Sequence, residues 1–335
     1  MADYYYRFPA ITELTIAQQA ALDETRQIAL SGGPGTGKSV VSAWRHISNH
    51  QQGRKSLLLT YTHSLRRYLA SCCKSVNATD ARNNIRTSYL GKPSDEPFYE
   101  IIVDEGQDLE PDYYESLKAL GYLISYGADD SQILYKDHCS HAAELRAIFP
   151  DNRQCMLDRN FRSTQNIMLF AREAFQTMFV PQEIIDGLAS NQGPKPAVVI
   201  GDIFANTLQL IQQLSNDTSN IGILTPWKKD VTEMYNFLCK YGIDCSFYIN
   251  EDDGSTCPPL KNIHVTTYRS AKGLEFDTVI LPEFSFFYFL EKPHPYYTLT
   301  EEDMYVAVTR ARSNLYLLNK SDNHEFNNRF SGFIE

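Results

Sequence analysis

Short, almost uninterrupted apolar runs alternate along the chain with longer stretches that read as helices. The runs fall at 27–30, 56–61, 99–104, 122–127 and 154–157, and again at 197–201, 221–225, 263–267, 278–282 and 315–318. Apolar strands without polar alternation belong to parallel sheets buried on both faces. Helices are predicted over 38–50, 112–120, 165–179, 204–214, 229–241 and 301–312. Strands joined by helices in this way make an α/β chain with helices on both faces of each sheet. The pattern runs about twice, with a seam between Phe149 and Asp158, which predicts one domain over 1–152 and a second over 153–335. A chain of 335 residues suits that division, because single cores stop growing well before such a length. No short-period repeat interrupts it, and the segment "DGLASNQGPKP" at 186–196 reads as a surface connection.

Composition narrows the class. A hydrophobic content of 43% with 21% charged residues excludes collagen, coiled coil and long disorder. The opening "MADYYYRFPA" has no basic segment followed by an apolar one, so no export signal is expected. The most lipid-like run, 279–290, contains Pro282 and Glu283 and is too short to span a bilayer. A cytoplasmic protein with no membrane partner is expected. Seven cysteines without a CxxC pair read as thiols in a reducing compartment. The irregular spacing of Cys239, Cys245, Cys257 and His264 does not suit zinc. A net charge of −10 argues against nucleic-acid affinity driven by overall charge. Arg66, Arg67 and Lys74 leave two readings open, a local basic groove or a solvated helix face. The tyrosines Tyr4–Tyr6 are expected as a cap on the first sheet, with base stacking as the alternative.

The candidate chemistry begins at "LSGGPGTGKSV", residues 30–40. Glycines cost backbone entropy, so a cluster of them beside an apolar strand marks a close approach of the main chain to something. Gly32-x4-Gly37-Lys38-Ser39 follows a strand and opens a helix, the context a phosphate-binding loop requires. The amides from Gly33 through Gly35, Thr36 and Gly37 would cradle a β-phosphate at the helix N-terminus. Lys38 would reach the β- and γ-oxygens, and the Ser39 hydroxyl would ligate Mg²⁺. Downstream, "FYEIIVDEGQD" is an apolar strand ending in two carboxylates. Asp104 there can hold Mg²⁺ through water, and Glu105 can orient and deprotonate an attacking water.

From this point the chain resembles superfamily 1 helicases of the UvrD/Rep type, almost end to end. "LTIAQQAAL" resembles the adenine-reading Q motif, with Gln18 as its glutamine, and "LLLTYTHSLRRYL" resembles motif Ia. "DEGQD" resembles DEAQD, and "YGADDSQILY" resembles motif III with Gln132. "LDRNFRS" resembles motif IV, "TTYRSAKGLEF" motif V, and "EEDMYVAVTRARSNLYL" motif VI. The resemblance implies two tandem RecA-like domains with ATP in the cleft between them. It implies Arg162 on the γ-phosphate, Phe161 stacked on adenine, Glu275 at the ribose and Arg310 as an arginine finger. Gln132 would link the γ-phosphate to the DNA surface. The implied partner is single-stranded DNA or a 3′-tailed duplex, met by Tyr61, Thr62, Tyr89, Tyr135, Thr267 and Arg269, with translocation from 3′ to 5′.

The chain also departs from that pattern. Only 66 positions separate Lys38 from Asp104 and 107 separate Arg162 from Arg269, whereas full-size relatives carry an accessory domain in each interval. Asp137 stands near the place of a base-stacking tryptophan, which leaves Tyr135 for stacking, and Arg269 replaces a usual histidine. A strand-splitting hairpin after motif VI is shortened or absent. These differences suit a second expectation, a nucleotide-sensing ATPase subunit beside a nuclease or OLD-family-like partner, as in Gabija-type phage defence. The aromatic run "FSFFYFL" at 284–290 is expected in the core, or else as a partner interface. A small-molecule kinase on the same loop leaves motifs V and VI unexplained.

Overall fold

The uninterrupted apolar runs form parallel strands. The computed structural model describes residues 2–87, 97–133, 139–178, 180–249, 257–284 and 299–335. It divides into two compact units, Tyr6–Phe161, and Arg162–Glu335 together with the residues up to Tyr5. Each is an α/β unit built on one parallel sheet with helices on both faces, as the alternation predicts.

In the first unit the strands are β1 (Ile28–Ser31), β2 (Ser56–Thr60), β3 (Ile85–Thr87), β4 (Phe98–Val103), β5 (Gly121–Ala128) and β6 (Arg153–Met156). Their order is β3-β2-β4-β5-β1-β6. Leu57, Leu59, Ile101, Val103 and Tyr126 on the central strands lie in one core cluster. Because β1, β4 and β5 run parallel, their carboxyl ends share one edge of the sheet, where α/β folds place their ligands. The register aligns Leu30 with Gly127 and Val103 with Tyr126. The segments after Ser31, Val103 and Ala128 therefore begin side by side.

The helix Lys38–Gln51 is tied to this sheet by a buried ion pair. Arg45 Nε donates to Glu100 at 2.7 Å, and its other nitrogens donate to the carbonyls of Glu24 and Arg26. Glu100 also accepts from Asn49 at 2.6 Å and from the Ser125 hydroxyl. One turn away, His46 is fully enclosed, with Nδ1 2.8 Å from the Ser56 hydroxyl and Nε2 2.8 Å from the Ala81 carbonyl.

The second unit contains β7 (Ala197–Ile200), β8 (Ile221–Thr225), β9 (Ser246–Tyr248), β10 (Ile263–Thr267), β11 (Phe276–Leu281) and β12 (Ala311–Asn319), ordered β7-β12-β11-β8-β10-β9. In β10, His264 is buried with Nδ1 2.9 Å from the Ser246 hydroxyl. Burial lowers the pKa of both His46 and His264 to about 3. Each imidazole therefore stays neutral in the folded chain while it charges in the unfolded chain below about pH 6.5. The stability each contributes is complete above that pH and falls by about 1.4 kcal/mol per unit as the pH drops further. In a ¹⁵N NMR titration from pH 8 to 5, the rings of His46 and His264 will show no protonation. Protonation of either buried ring near pH 6 would contradict this.

Several elements differ from the expectations. The first sheet continues through β6, which pairs with β1, so the first unit runs on to Phe161. The helix expected over 301–312 ends at Val308, because residues from Ala311 onward are captured as β12 by pairing with β11. The helix expected over 165–179 spans Gln165–Ala174. Tyr4 packs edge-on against Phe276 in the second unit rather than capping the first sheet, while Tyr6 lies against Tyr68 in the first. The Asn220 side chain draws the segment there by bonding both the N–H and the C=O of Tyr5.

Candidate nucleotide site

The glycine-rich loop of the first unit connects β1 to the helix Lys38–Gln51, and its conformation explains two of its glycines. Gly32 has φ 144° and Gly37 has φ 88°, both in the range where only glycine is unstrained. A Cβ on Gly32 would lie 2.3 Å from the Leu157 carbonyl, and one on Gly37 would lie 2.4 Å from Gln18 Nε2. Gln18 is buried and donates to the Thr36 carbonyl at 3.0 Å, so it braces the loop from behind. From the other side, the Asn160 amide donates to the Pro34 carbonyl and the Phe161 N–H to the Gly35 carbonyl. The Phe161 ring is 43% exposed, with the Arg159 guanidinium 5.3 Å from its centre.

Lys38 sits over this loop. Its ammonium donates to the carbonyls of Gly32 at 2.6 Å and Gly33 at 3.1 Å, and pairs with Asp129 at 3.3 Å. A buried cation satisfied only by two carbonyls and one carboxylate is placed to exchange the carbonyls for phosphate oxygens.

β4 delivers the acidic pair. Asp104 is 2% exposed and accepts from the Ser42 hydroxyl at 3.4 Å, with the Ser39 hydroxyl also favouring its charged form. Burial first, and then the charge of Glu105, push its carboxyl pKa up to about 7. Its Oδ2 is buried without a hydrogen-bond partner. An orphaned carboxylate oxygen is costly in a low-dielectric site unless a cation or a donor meets it. Ser39 and Asp104 together thus fit the oxygen donors that Mg²⁺ takes.

Glu105 is one of three non-glycine residues with positive φ among the described residues (φ 60°, ψ 47°). Such backbone costs on the order of 1 kcal/mol and clusters at functional sites. Gln107 holds the result in place: its Nε2 donates to Glu105 at 2.6 Å and its Oε1 accepts from the Asp129 N–H at 3.1 Å. Asp129 Oδ2 also accepts from Gln132 Nε2 at 2.6 Å. Glu105, Gln107, Asp129, Gln132 and Lys38 are therefore one connected network, and Gln107 and Asp129 are its members that the sequence reading left unassigned. "DEGQD" and "ADDSQ" contained both, but nothing in their spacing showed that one glutamine joins the two segments.

The second unit carries a separate basic cluster. Glu275 accepts from Arg162 Nε at 3.0 Å on one oxygen and from Arg312 at 2.9 Å on the other. Arg312 was not expected; it is the second arginine of "TRAR", two positions beyond Arg310. Arg310 is 1% exposed and donates to the Val306 carbonyl at 3.0 Å and the Leu274 carbonyl at 3.5 Å.

The expected DNA contacts fare unevenly. Tyr61 packs against the first core, and Thr62 caps the helix His63–Ser75. Thr267 is buried and bonded to Ser270. Arg269 is clasped by both oxygens of Asp303 at 2.7 and 3.0 Å, so the positive charge expected there is matched by a buried carboxylate. Tyr89, Tyr135, Asp137 and residues 285–290 of the aromatic run lie outside the described residues, while Phe284 is buried. Arg66 donates to the Ile85 carbonyl, and Arg66 and Lys74 are exposed on the helix His63–Ser75. Among the described residues no group of three His, Cys, Asp or Glu could hold a metal ion, and no helix is long and apolar enough to cross a membrane.

The chain is thus an α/β protein of two parallel sheets, with a glycine-rich loop, a buried lysine and an acidic strand end gathered on the first. Residues 249–322 match the UvrD-like helicase C-terminal domain. The chain is similar to a protein of Acanthamoeba polyphaga mimivirus assigned as an ATP-dependent DNA helicase, with 26% identity over 246 residues, covering 67% of this chain and 35% of that one. Among solved structures it is similar to the PRRSV helicase (16% identity, TM-score 0.48, 93% of this chain and 56% of that one). It is likewise similar to the arterivirus nonstructural protein 10 helicase (16% identity, TM-score 0.44, 93% and 63%). The chain thus spans about a third of the mimivirus relative's length.

Proposed function

We propose that the chain is an ATP-driven motor on single-stranded DNA, moving from 3′ to 5′, with Mg²⁺–ATP bound at the loop around Lys38. The observation that carries this reading is the buried, partnerless Asp104 Oδ2 beside Ser39 at the mouth of the phosphate loop. The match over 249–322 and the mimivirus relative support the helicase assignment.

The chain's own residues divide the work. The loop amides and Lys38 take the phosphates, with the ammonium exchanging the Gly32 and Gly33 carbonyls for phosphate oxygens. Glu105 orients the attacking water and accepts its proton, and Gln107 fixes the carboxylate in the left-handed turn. Asp129 couples Lys38 to Gln132, so that occupancy at the phosphate is felt at a residue expected to face DNA. When bound at Ser39 and Asp104, Mg²⁺ would neutralise phosphate charge. Arg162 and Arg310 would stabilise phosphate charge during hydrolysis, a contribution worth about 10³–10⁵ in rate for an arginine finger. Phe161 would serve the adenine while Gln18 braces the loop, and Tyr61, Tyr89 and Tyr135 would meet the DNA.

A nucleotide-sensing subunit that works beside a nuclease is favoured by one observation, the pairing of Arg269 with Asp303, which removes charge from the expected DNA track. ATP turnover by the purified chain, measured with and without a single-stranded oligonucleotide, separates the two. At least tenfold stimulation is expected of the motor. A flat response contradicts it.

A further inference from the structure

The polypeptide passes between its two units twice, at Tyr5–Tyr6 and at Phe161–Arg162. A residue beside each crossing bonds Glu275. Arg162 binds the carboxylate. Tyr4, 271 positions away in sequence, binds the peptide: its hydroxyl donates to the Glu275 carbonyl and accepts from the Glu275 N–H at 3.1 Å. The Tyr4 ring is buried and lies edge-on to Phe276, 5.9 Å between centres. The Phe276 N–H in turn donates to the Arg310 carbonyl at 3.0 Å. The strap that carries Tyr4 is fixed independently of Glu275. The Tyr4 N–H donates to the Leu260 carbonyl, the Asn262 N–H donates to the Ala2 carbonyl, and Asn220 clamps Tyr5.

One dipeptide, Glu275–Phe276, therefore meets three arginines, two through the Glu275 carboxylate and one through the Phe276 N–H. Tyr4 grips that dipeptide by hydroxyl and by ring. A hydroxyl bonded to both the N–H and the C=O of one residue ties together the two peptide units that flank its Cα, which limits φ and ψ at Glu275, and the direction of its side chain follows that backbone. We propose that Tyr4 is a positioning residue, whose hydroxyl sets the backbone at Glu275 so that the Glu275 carboxylate holds Arg162 and Arg312 in register. This rests on the reading that Glu275 and Arg162 serve the nucleotide.

The test is Tyr4→Phe in the full chain, which keeps the ring on Phe276 and removes only the hydroxyl. Losing these bonds raises the KM for ATP about three- to tenfold and leaves kcat within about twofold, because the cluster is set before chemistry begins. Glu275→Gln also raises KM, and adding Tyr4→Phe to it produces no further change, since both act through one group. Thr207→Ala, which loses a buried bond to the Ile203 carbonyl in the same unit without touching Glu275 or the strap, gives the effect of destabilisation alone and is expected to keep the wild-type KM. A wild-type KM for Tyr4→Phe beside a raised KM for Glu275→Gln overturns the proposal and leaves the nucleotide reading standing. So does an additive double variant, or a Thr207→Ala shift equal to that of Tyr4→Phe. Wild-type KM in both Glu275→Gln and Arg162→Ala overturns the nucleotide role of the cluster and the proposal with it.

Discussion

Glu105→Gln is expected to reduce ATP turnover by about 10²–10⁴-fold while ATP binding is retained, the loss typical of a removed general base. The amide is isosteric with the carboxylate, its oxygen still accepts from Gln107 Nε2, and the left-handed backbone is no worse for glutamine than for glutamate. What vanishes is the capacity to take a proton from water. Phosphate release and equilibrium ATP affinity, measured side by side, give the two halves of the result. Turnover within about threefold of wild type would remove Glu105 from the chemistry.

The largest stability effect is expected at Glu100. This fully buried carboxylate accepts from Arg45, Asn49 and Ser125. Glu100→Ala would leave the Arg45 guanidinium, itself only 5% exposed, without its counter-charge. Breaking one side of a buried pair costs about 3–5 kcal/mol, because the surviving charge stays desolvated. The helix Lys38–Gln51, which begins at the lysine proposed to hold phosphate, is anchored to β4 by this pair, so the variant should weaken ATP binding as well as the fold. Urea denaturation measures the first and nucleotide titration the second. Replacing both partners, as in Arg45→Met with Glu100→Leu, should recover much of the stability. A loss below about 1 kcal/mol for Glu100→Ala alone would show the pair to be dispensable.

What the sequence revealed and what it hid follow from the same physics. The central strands β2, β4, β8, β10 and β11 were legible because sheet neighbours and covering helices demand unbroken apolar runs. The three-residue edge strands β3 and β9 carry no such run and were not expected. Edge strand β6 is half polar, and its pairing with β1 moved the unit boundary past the expected seam. In the candidate site, the loop glycines, Lys38 and the Asp104–Glu105 pair could be placed from spacing because the loop and the pair each directly follow the end of an apolar strand. The Gln107 relay, the second arginine on Glu275 and the Tyr4 hydroxyl could not, since each depends on a side chain meeting a partner from another element. The pairing of Arg269 with Asp303, 34 positions away, is of the same kind.

The direct test is a crystal structure of the chain with Mg²⁺ and a non-hydrolysable ATP analogue. The terminal phosphate should lie within hydrogen-bond distance of the Lys38 ammonium, which has left the Gly32 and Gly33 carbonyls, and the cation should face Asp104 Oδ2. Nucleotide density away from the loop, with Lys38 still on those carbonyls and Asp129, would contradict the assignment of this site.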